Sequence, residues 1–146
     1  MSATIDVLVV FDAATILANN TSPSQDPNNP SGVGGNIFMI VDAAHANGDQ
    51  AGSELNVKAQ TGDTIRWREA TVAPTDYQAL MYAFQAGQQN LISPPTPIQI
   101  TVHEPFPNPA TPSVPQFQTV QNFFWNSTVE NPGTLTYHFN FMLVDR

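Results

Sequence analysis

Apolar side chains in this chain recur at every second position wherever they are dense, so the pattern predicts strands rather than helices. Residues 4 to 11 place Ile5, Val7, Val9 and Phe11 on one face, with Leu8 and Val10 on the other and Asp6 near the entry. Apolar residues on both sides predict a largely buried strand. The run Ile37 to Val41 is too short for a helix and is followed by turn residues, which again predicts a core strand. Leu55, Val57 and Ala59 alternate with Asn56, Lys58 and Gln60. After Thr61-Gly62-Asp63 the alternation resumes as Ile65 and Trp67 against Arg66 and Arg68, and this pattern predicts a hairpin.

Residues 77 to 86 would also tolerate a helix, but the alternation favours a strand with Leu80, Tyr82 and Phe84 on one face. Ile98, Ile100 and Val102 predict a half-buried strand, and Val120 to Trp125 is apolar enough for the core. The last segment is the most regular. Leu135, Tyr137, Phe139, Phe141 and Leu143 share one face, with Thr136, His138, Asn140 and Met142 on the other. The fold class expected is all-β: a single antiparallel β-sandwich over residues 1–146, with seven or eight strands and an Ig-like or cupredoxin-like layout. The Val57 to Trp67 segment and the later Pro132-Gly133-Thr134-Leu135-Thr136-Tyr137-His138-Phe139 resemble the cupredoxin layout, but a blue-copper centre needs a thiolate and this chain has no Cys.

Two connections interrupt the pattern. Residues 19–36 are almost exclusively Asn, Ser, Pro and Gly, which predicts a long polar loop. Eight of the 13 prolines fall between Pro94 and Pro115. The Pro-rich stretch 104–115 is expected to cross the outside of the domain or follow a sheet edge, where missing N–H groups block further pairing.

Charge narrows the function classes. The chain has 12 Asp plus Glu against 4 Lys plus Arg, a net charge of −8, with only 11% of residues charged. Solubility therefore rests on 13 Asn and 11 Gln. Four cations, Lys58, Arg66, Arg68 and Arg146, cannot build the counterion-releasing patch of a general nucleic-acid binder, and an anionic membrane would repel the chain. The apolar stretch at residues 5–17 has no preceding Lys or Arg and is broken by Asp6 and Asp12, so no signal peptide is expected and the location expected is cytoplasmic. The three histidines, His45, His103 and His138, lie in separate segments without catalytic or zinc spacing. The expectation is a protein that is not an enzyme.

The remaining polar clusters suggest binding. Asp42, Asn47, Asp49 and Glu54 could supply oxygens to calcium, with Gly48 turning the backbone, although the spacing is not that of an EF-hand and Asx-Gly-Asp is also ordinary turn chemistry. Asp26, Asn28 and Asn36 in the preceding loop offer the same choice. If both loops lie at one end of the sandwich, Asp26, Asn28, Asn36, Asp42, Asn47 and Asp49 could together bind calcium or sugar. Lys58, Arg66 and Arg68 put all the internal positive charge on the expected hairpin, either paired with acidic neighbours or forming a docking face for another copy of the chain.

Four segments carry a family resemblance: TIDVLVVFDAATIL, NPSGVGGNIFMIV, GSELNVKAQTGDTIRWRE and YQALMYAF. In this order they resemble the PixA/AidA family of bacterial inclusion-body proteins. The resemblance implies a small, non-enzymatic, self-associating protein linked to intracellular inclusions and to quorum- or phase-regulated host interaction or storage. It transfers no catalytic residue and implies no cofactor. The competing expectation is a calcium-assisted, lectin-like carbohydrate-binding module, in which the Asx-rich loops bind sugar hydroxyls.

Overall fold

The computed structural model describes residues 1–48, 50–72, 76–87 and 90–145. Its strands are β1 (Thr4–Phe11), β2 (Ile37–Ile40), β3 (Thr64–Thr71), β4 (Tyr77–Ala86), β5 (Thr96–Pro107), β6 (Pro115–Thr128) and β7 (Tyr137–Asp145), with one short helix, α1 (Ala13–Asn19), after β1. A five-stranded sheet has the order β2-β1-β3-β6-β5, and β4 pairs with β7 in a second, two-stranded sheet. The smaller sheet lies on one face of the larger, and a single apolar cluster fills the space between them.

Strand β1 builds the centre of that cluster. Ile5, Val7, Val9 and Phe11 are at most 2% exposed, as their spacing predicts. From β3, Trp67 meets Tyr137, Phe139 and Phe84 of the smaller sheet at ring-centroid distances of 5.5, 5.5 and 5.9 Å. The Trp67 indole N–H donates to the Tyr137 hydroxyl (3.1 Å), and the Trp125 indole N–H donates to the Met81 carbonyl (3.1 Å). Both polar tips are thereby satisfied inside an aromatic core, which removes the cost of burying them. Leu135 just before β7 and Tyr137, Phe139, Phe141 and Leu143 on it all pack against this cluster, as their alternation predicts.

The antiparallel expectation fails at one place, and the error is topological. Strands β1 and β3 pair in parallel, from Thr4↔Thr64 to Phe11↔Thr71. A parallel pair needs a long crossover, and residues 12–63 supply it through α1, β2 and the loop that follows. Residues 55–60 therefore do not form the first strand of a hairpin with β3. They fold back on the preceding loop, where Val57 bridges Ala46 and the Lys58 N–H donates to His45 O. The turn itself is present, with Gly62 at φ 97° and the Asp63 N–H closing onto Gln60 O, but it delivers β3 to β1. Local alternation cannot distinguish these outcomes, because either partner buries the same face of β3.

Helix α1 is a second departure, since the polar-loop and strand patterns predict none there. Asp12 caps it by accepting the Thr15 N–H (3.2 Å), and Ala13 and Ile16 turn into the core. In β4 the register shifts between Met81 and Ala83. Ala79 and Met81 face inward before this bulge and Phe84 after it, so Leu80 and Tyr82 do not share a face with Phe84. Leu80 is 45% exposed, and the Tyr82 hydroxyl reaches out to Pro27 O (2.7 Å). The Pro-rich 104–115 stretch is not a crossover between sheets. Its first residues continue β5, Pro115 opens β6, and the rest is the tip of one long antiparallel hairpin.

Asp63 fastens the beginning of the chain to this frame. Its side chain is in a residue only 5% exposed, and its two oxygens accept the N–H groups of Ala3 and Gln60, both at 2.8 Å. The Ala3 bond, and after it the Gln60 bond, hold its pKa below the usual carboxylate value.

Candidate functional site

The two Asx-rich loops flank β2, one leading into Ile37 and the other leaving after Ile40 and folding back along the strand, where the Ala51 N–H donates to Met39 O and the Met39 N–H to Gly52 O, both at 2.9 Å. Asp26 turns inward on its own loop, with its side chain accepting the Asn28 N–H (3.0 Å). Asn36 takes the left-handed conformation (φ 64°) and its carbonyl accepts the Asp12 N–H (3.0 Å). On the other loop, Asp42 contacts His45 Nδ1 at 2.7 Å. The Asn47 N–H donates to Asn56 O, and Glu54 is exposed. Asp49 lies outside the described residues. Among the described residues no three His, Asp or Glu side chains come together as a metal-binding group.

One cleft does involve this set. Asn19, Asn20 and Asn36, with Val33, Gly34 and Gly35, line an open depression of about 390 Å³ beside the end of α1. Asn20 is partly committed, since its side-chain amide donates to Ile16 O (2.7 Å). Sequence spacing singles out Asn36 but misses Asn19 and Asn20, because nothing in the pattern announces the helix that presents them.

The three internal cations are also separated. Lys58 belongs to the 45–58 loop ladder, whereas Arg66 and Arg68 lie on β3, on the face of the large sheet turned away from the core. Parallel pairing puts Asp6 beside Arg66, which grips it with two hydrogen bonds of 2.7 and 2.9 Å. Arg66 also lies 4.7 Å from the centroid of the Phe124 ring. Arg68 stands over the same ring at 5.9 Å and, among the described residues, has no carboxylate within ion-pair distance. Asp6, Val7, Leu8, Arg68 and Phe124 line a depression of about 240 Å³ here.

This outer face is apolar well beyond the depression. Cross-strand pairs continue it through Leu8↔Ile40 and Val10↔Phe38 on one side and Phe124↔Ile98 and Val120↔Val102 on the other. Ile40 is 42% and Phe38 37% exposed, and the others are half-buried by their neighbours. Among the described residues no helix or strand packs over them. Alternation shows Leu8 and Val10 as apolar, but the parallel register that sets them beside Arg66 and Arg68 is not legible locally.

Glu69 is a half-buried titratable group. It follows Arg68 on β3 and faces the core side, where burial raises its pKa despite backbone hydrogen bonds from its own N–H and from Met81. His103 lies on the β5–β6 hairpin with Nδ1 3.4 Å from the Thr119 hydroxyl, and His138 is exposed on β7. Among the described residues no helix is long and apolar enough to cross a membrane.

Comparison with known proteins gives a consistent result. The family model described as "PixA: Inclusion body protein" matches residues 3–146. Among solved structures, the chain is similar to an inclusion body protein (PixA) from Burkholderia cenocepacia J2315, with a TM-score of 0.79 and 23% identity over 99% of this chain and 85% of that one. No curated protein matches the chain.

Proposed function

The chain belongs to the PixA inclusion body protein family, and from that premise we propose that it is a non-enzymatic protein that self-associates within the cytoplasm into inclusions. Its surface area carries this reading. The chain exposes 9209 Å², roughly 1,900 Å² more than the surface expected of a compact monomer of its size. A stable interface takes about 800 Å² from each partner, so the excess is large enough for one. Low charge density reduces the electrostatic cost of packing copies together despite a net charge of −8. The role that follows is storage or regulated host interaction. Static light scattering of the purified protein across concentration and salt should show a rising apparent mass. A strictly monomeric chain at millimolar concentration would overturn the reading.

A second reading rests on the amide-lined cleft at Asn19, Asn20 and Asn36. Side-chain amides and nearby glycine backbone suit the hydroxyls of a carbohydrate, with Asp26 and Asn28 on the same loop as further polar groups. In its calcium-assisted form, Asp42, Asn47, Asp49 and Glu54 supply the metal ligands. A glycan array run with and without a chelator tests both forms. Equal binding in the two conditions keeps the sugar and removes the calcium, and no binding in either removes the lectin.

A further inference from the structure

The hairpin of β5 and β6 is longer than the body it belongs to. Strand β6 pairs with β3 only over Trp125 to Thr128, yet β5 and β6 stay in register from Thr96↔Asn126 to Pro107↔Pro115. The hairpin thus continues as a two-stranded arm well past the end of the β3–β6 ladder. Pro97, Pro105 and Pro107 on β5 and Pro115 at the start of β6 lack the N–H groups that edge-to-edge pairing would use. Any partner must therefore meet the arm mainly through a face. The arm and its tip, residues 96–128, hold no Lys or Arg and one carboxylate, Glu104, in a chain of net charge −8. Repulsion between two copies is weakest along this segment.

Side-chain register decides which face. Positions 98, 100, 102, 120 and 124 are apolar and continue the outer face of the large sheet onto the arm, and Glu104 and Gln118 extend the same face toward the tip. Glu104 meets only the Gln118 amide, at 3.5 Å, among the described side chains. At the other end of this face Arg68 stands over Phe124 without a carboxylate partner among the described residues. Among the described residues, a cation without an ion pair and a carboxylate with a single amide contact therefore lie at two separated points of one largely apolar face, with Asn122, opposite Ile100, the polar position between them. Such a surface is self-complementary under a two-fold axis passing between the two charges.

We propose that the outer face of the five-stranded sheet docks a second copy of this chain, each arm lying across the other's β1–β3 face with Arg68 against Glu104 of the second copy. The two-fold axis crosses the face near Ile100 and Val120, so both ion pairs form reciprocally and the apolar arm positions are covered between them. Arg66 contributes differently. Its double hydrogen bond to Asp6 is internal, which leaves Arg68 as the β3 cation available to a partner. This assignment rests on the self-association proposed above and names its surface.

Charge exchange tests it, read by sedimentation equilibrium on the full chain. Arg68→Glu and Glu104→Arg should each weaken association roughly tenfold or more, because each breaks two symmetry-related pairs. The combined variant should recover most of the loss. Glu104→Arg is the discriminating case. It makes the net charge of −8 two units less negative, so a general relief of repulsion would strengthen association where specific pairing weakens it. Unchanged melting temperatures for the single variants would exclude misfolding as the cause. An associating wild type whose affinity is indifferent to both single changes overturns the surface assignment while leaving self-association standing. The surface assignment also fails if Phe117→Ser or Phe123→Ser, on the opposite face of the arm, abolishes association and the charge variants do not. A wild type that stays monomeric overturns both readings.

Discussion

The two faces of the five-stranded sheet are built from alternate residues of the same strands, yet they have different fates. On the inner face Val7, Trp67 and Trp125 meet a second sheet that supplies Phe84, Tyr137 and Phe139, and the indole N–H groups and the Tyr137 hydroxyl there find partners. The outer face offers Leu8, Val10, Phe38 and Ile40 with nothing laid over them among the described strands and helices, and its centre is occupied by Asp6, Arg66 and Arg68. A sheet face that meets only water normally alternates to polar residues. This one does so at its centre and not around it. Apolar content therefore does not by itself identify the core; what covers a face does.

The largest expected contrast is between Trp67 and Phe124, which lie on opposite faces of adjacent strands. Trp67→Ala should cost about 3 to 5 kcal/mol in denaturant unfolding, because it empties the centre of the aromatic cluster and strands the Tyr137 hydroxyl. Phe124→Ala should cost no more than about 2 kcal/mol, since it removes a half-buried ring and its contacts with the two arginines. Equal losses would mean that the outer face is as well packed as the inner one.

Asp63 sharpens the comparison through pH. Its folded pKa lies below its unfolded value, so its contribution is fully present above the unfolded pKa and is lost as pH falls through the folded one. Asp63→Asn should lower stability at neutral pH and flatten the acid limb of a stability-against-pH curve measured by urea unfolding. Glu69 works in the opposite sense. Burial raises its folded pKa, so the cost of ionising it is absent below the unfolded value and fully present above the folded one. Glu69→Gln should therefore be neutral or slightly stabilising at neutral pH, with the difference fading as the medium becomes acidic.

The smallest effect belongs to the outer ion pair. Asp6 is 56% exposed at its side chain, and Asp6→Asn should change stability by about 0 to 1 kcal/mol. Its informative readout is association. Freed from Asp6, Arg66 becomes a second β3 cation for a partner carboxylate, so Asp6→Asn should leave the dimer intact or tighten it.

Much of the core is legible in the sequence because burial imposes a period on it. The alternation in β1 and β7 names inward residues correctly, since nothing interrupts either strand and each meets the core along its length. In β4 the same reasoning fails after Met81, where one extra residue shifts the phase, and alternation carries no mark of a bulge. The candidate site is less legible. Alternation identifies Arg66 and Arg68 as outward cations, but it sets Lys58 beside them through a hairpin that does not form, and Asp6, the true neighbour of Arg66, is 60 residues away. The resemblance to the inclusion-body family, by contrast, is carried by short segments and needs no pairing information.

The sequence alone determined most of the strands but not the 55–60 segment, which residues most of those strands turn inward, how little charge the surface carries and the family to which the chain belongs. These depend on composition and on neighbours a few positions apart. Only the tertiary structure decided that β1 runs parallel to β3, that the Pro-rich stretch closes a projecting arm, and that Arg68 and Glu104 share one uncovered face. Each of these joins residues far apart in the chain, and strand pairing is chosen by the burial available to the whole sheet rather than by any local run of side chains.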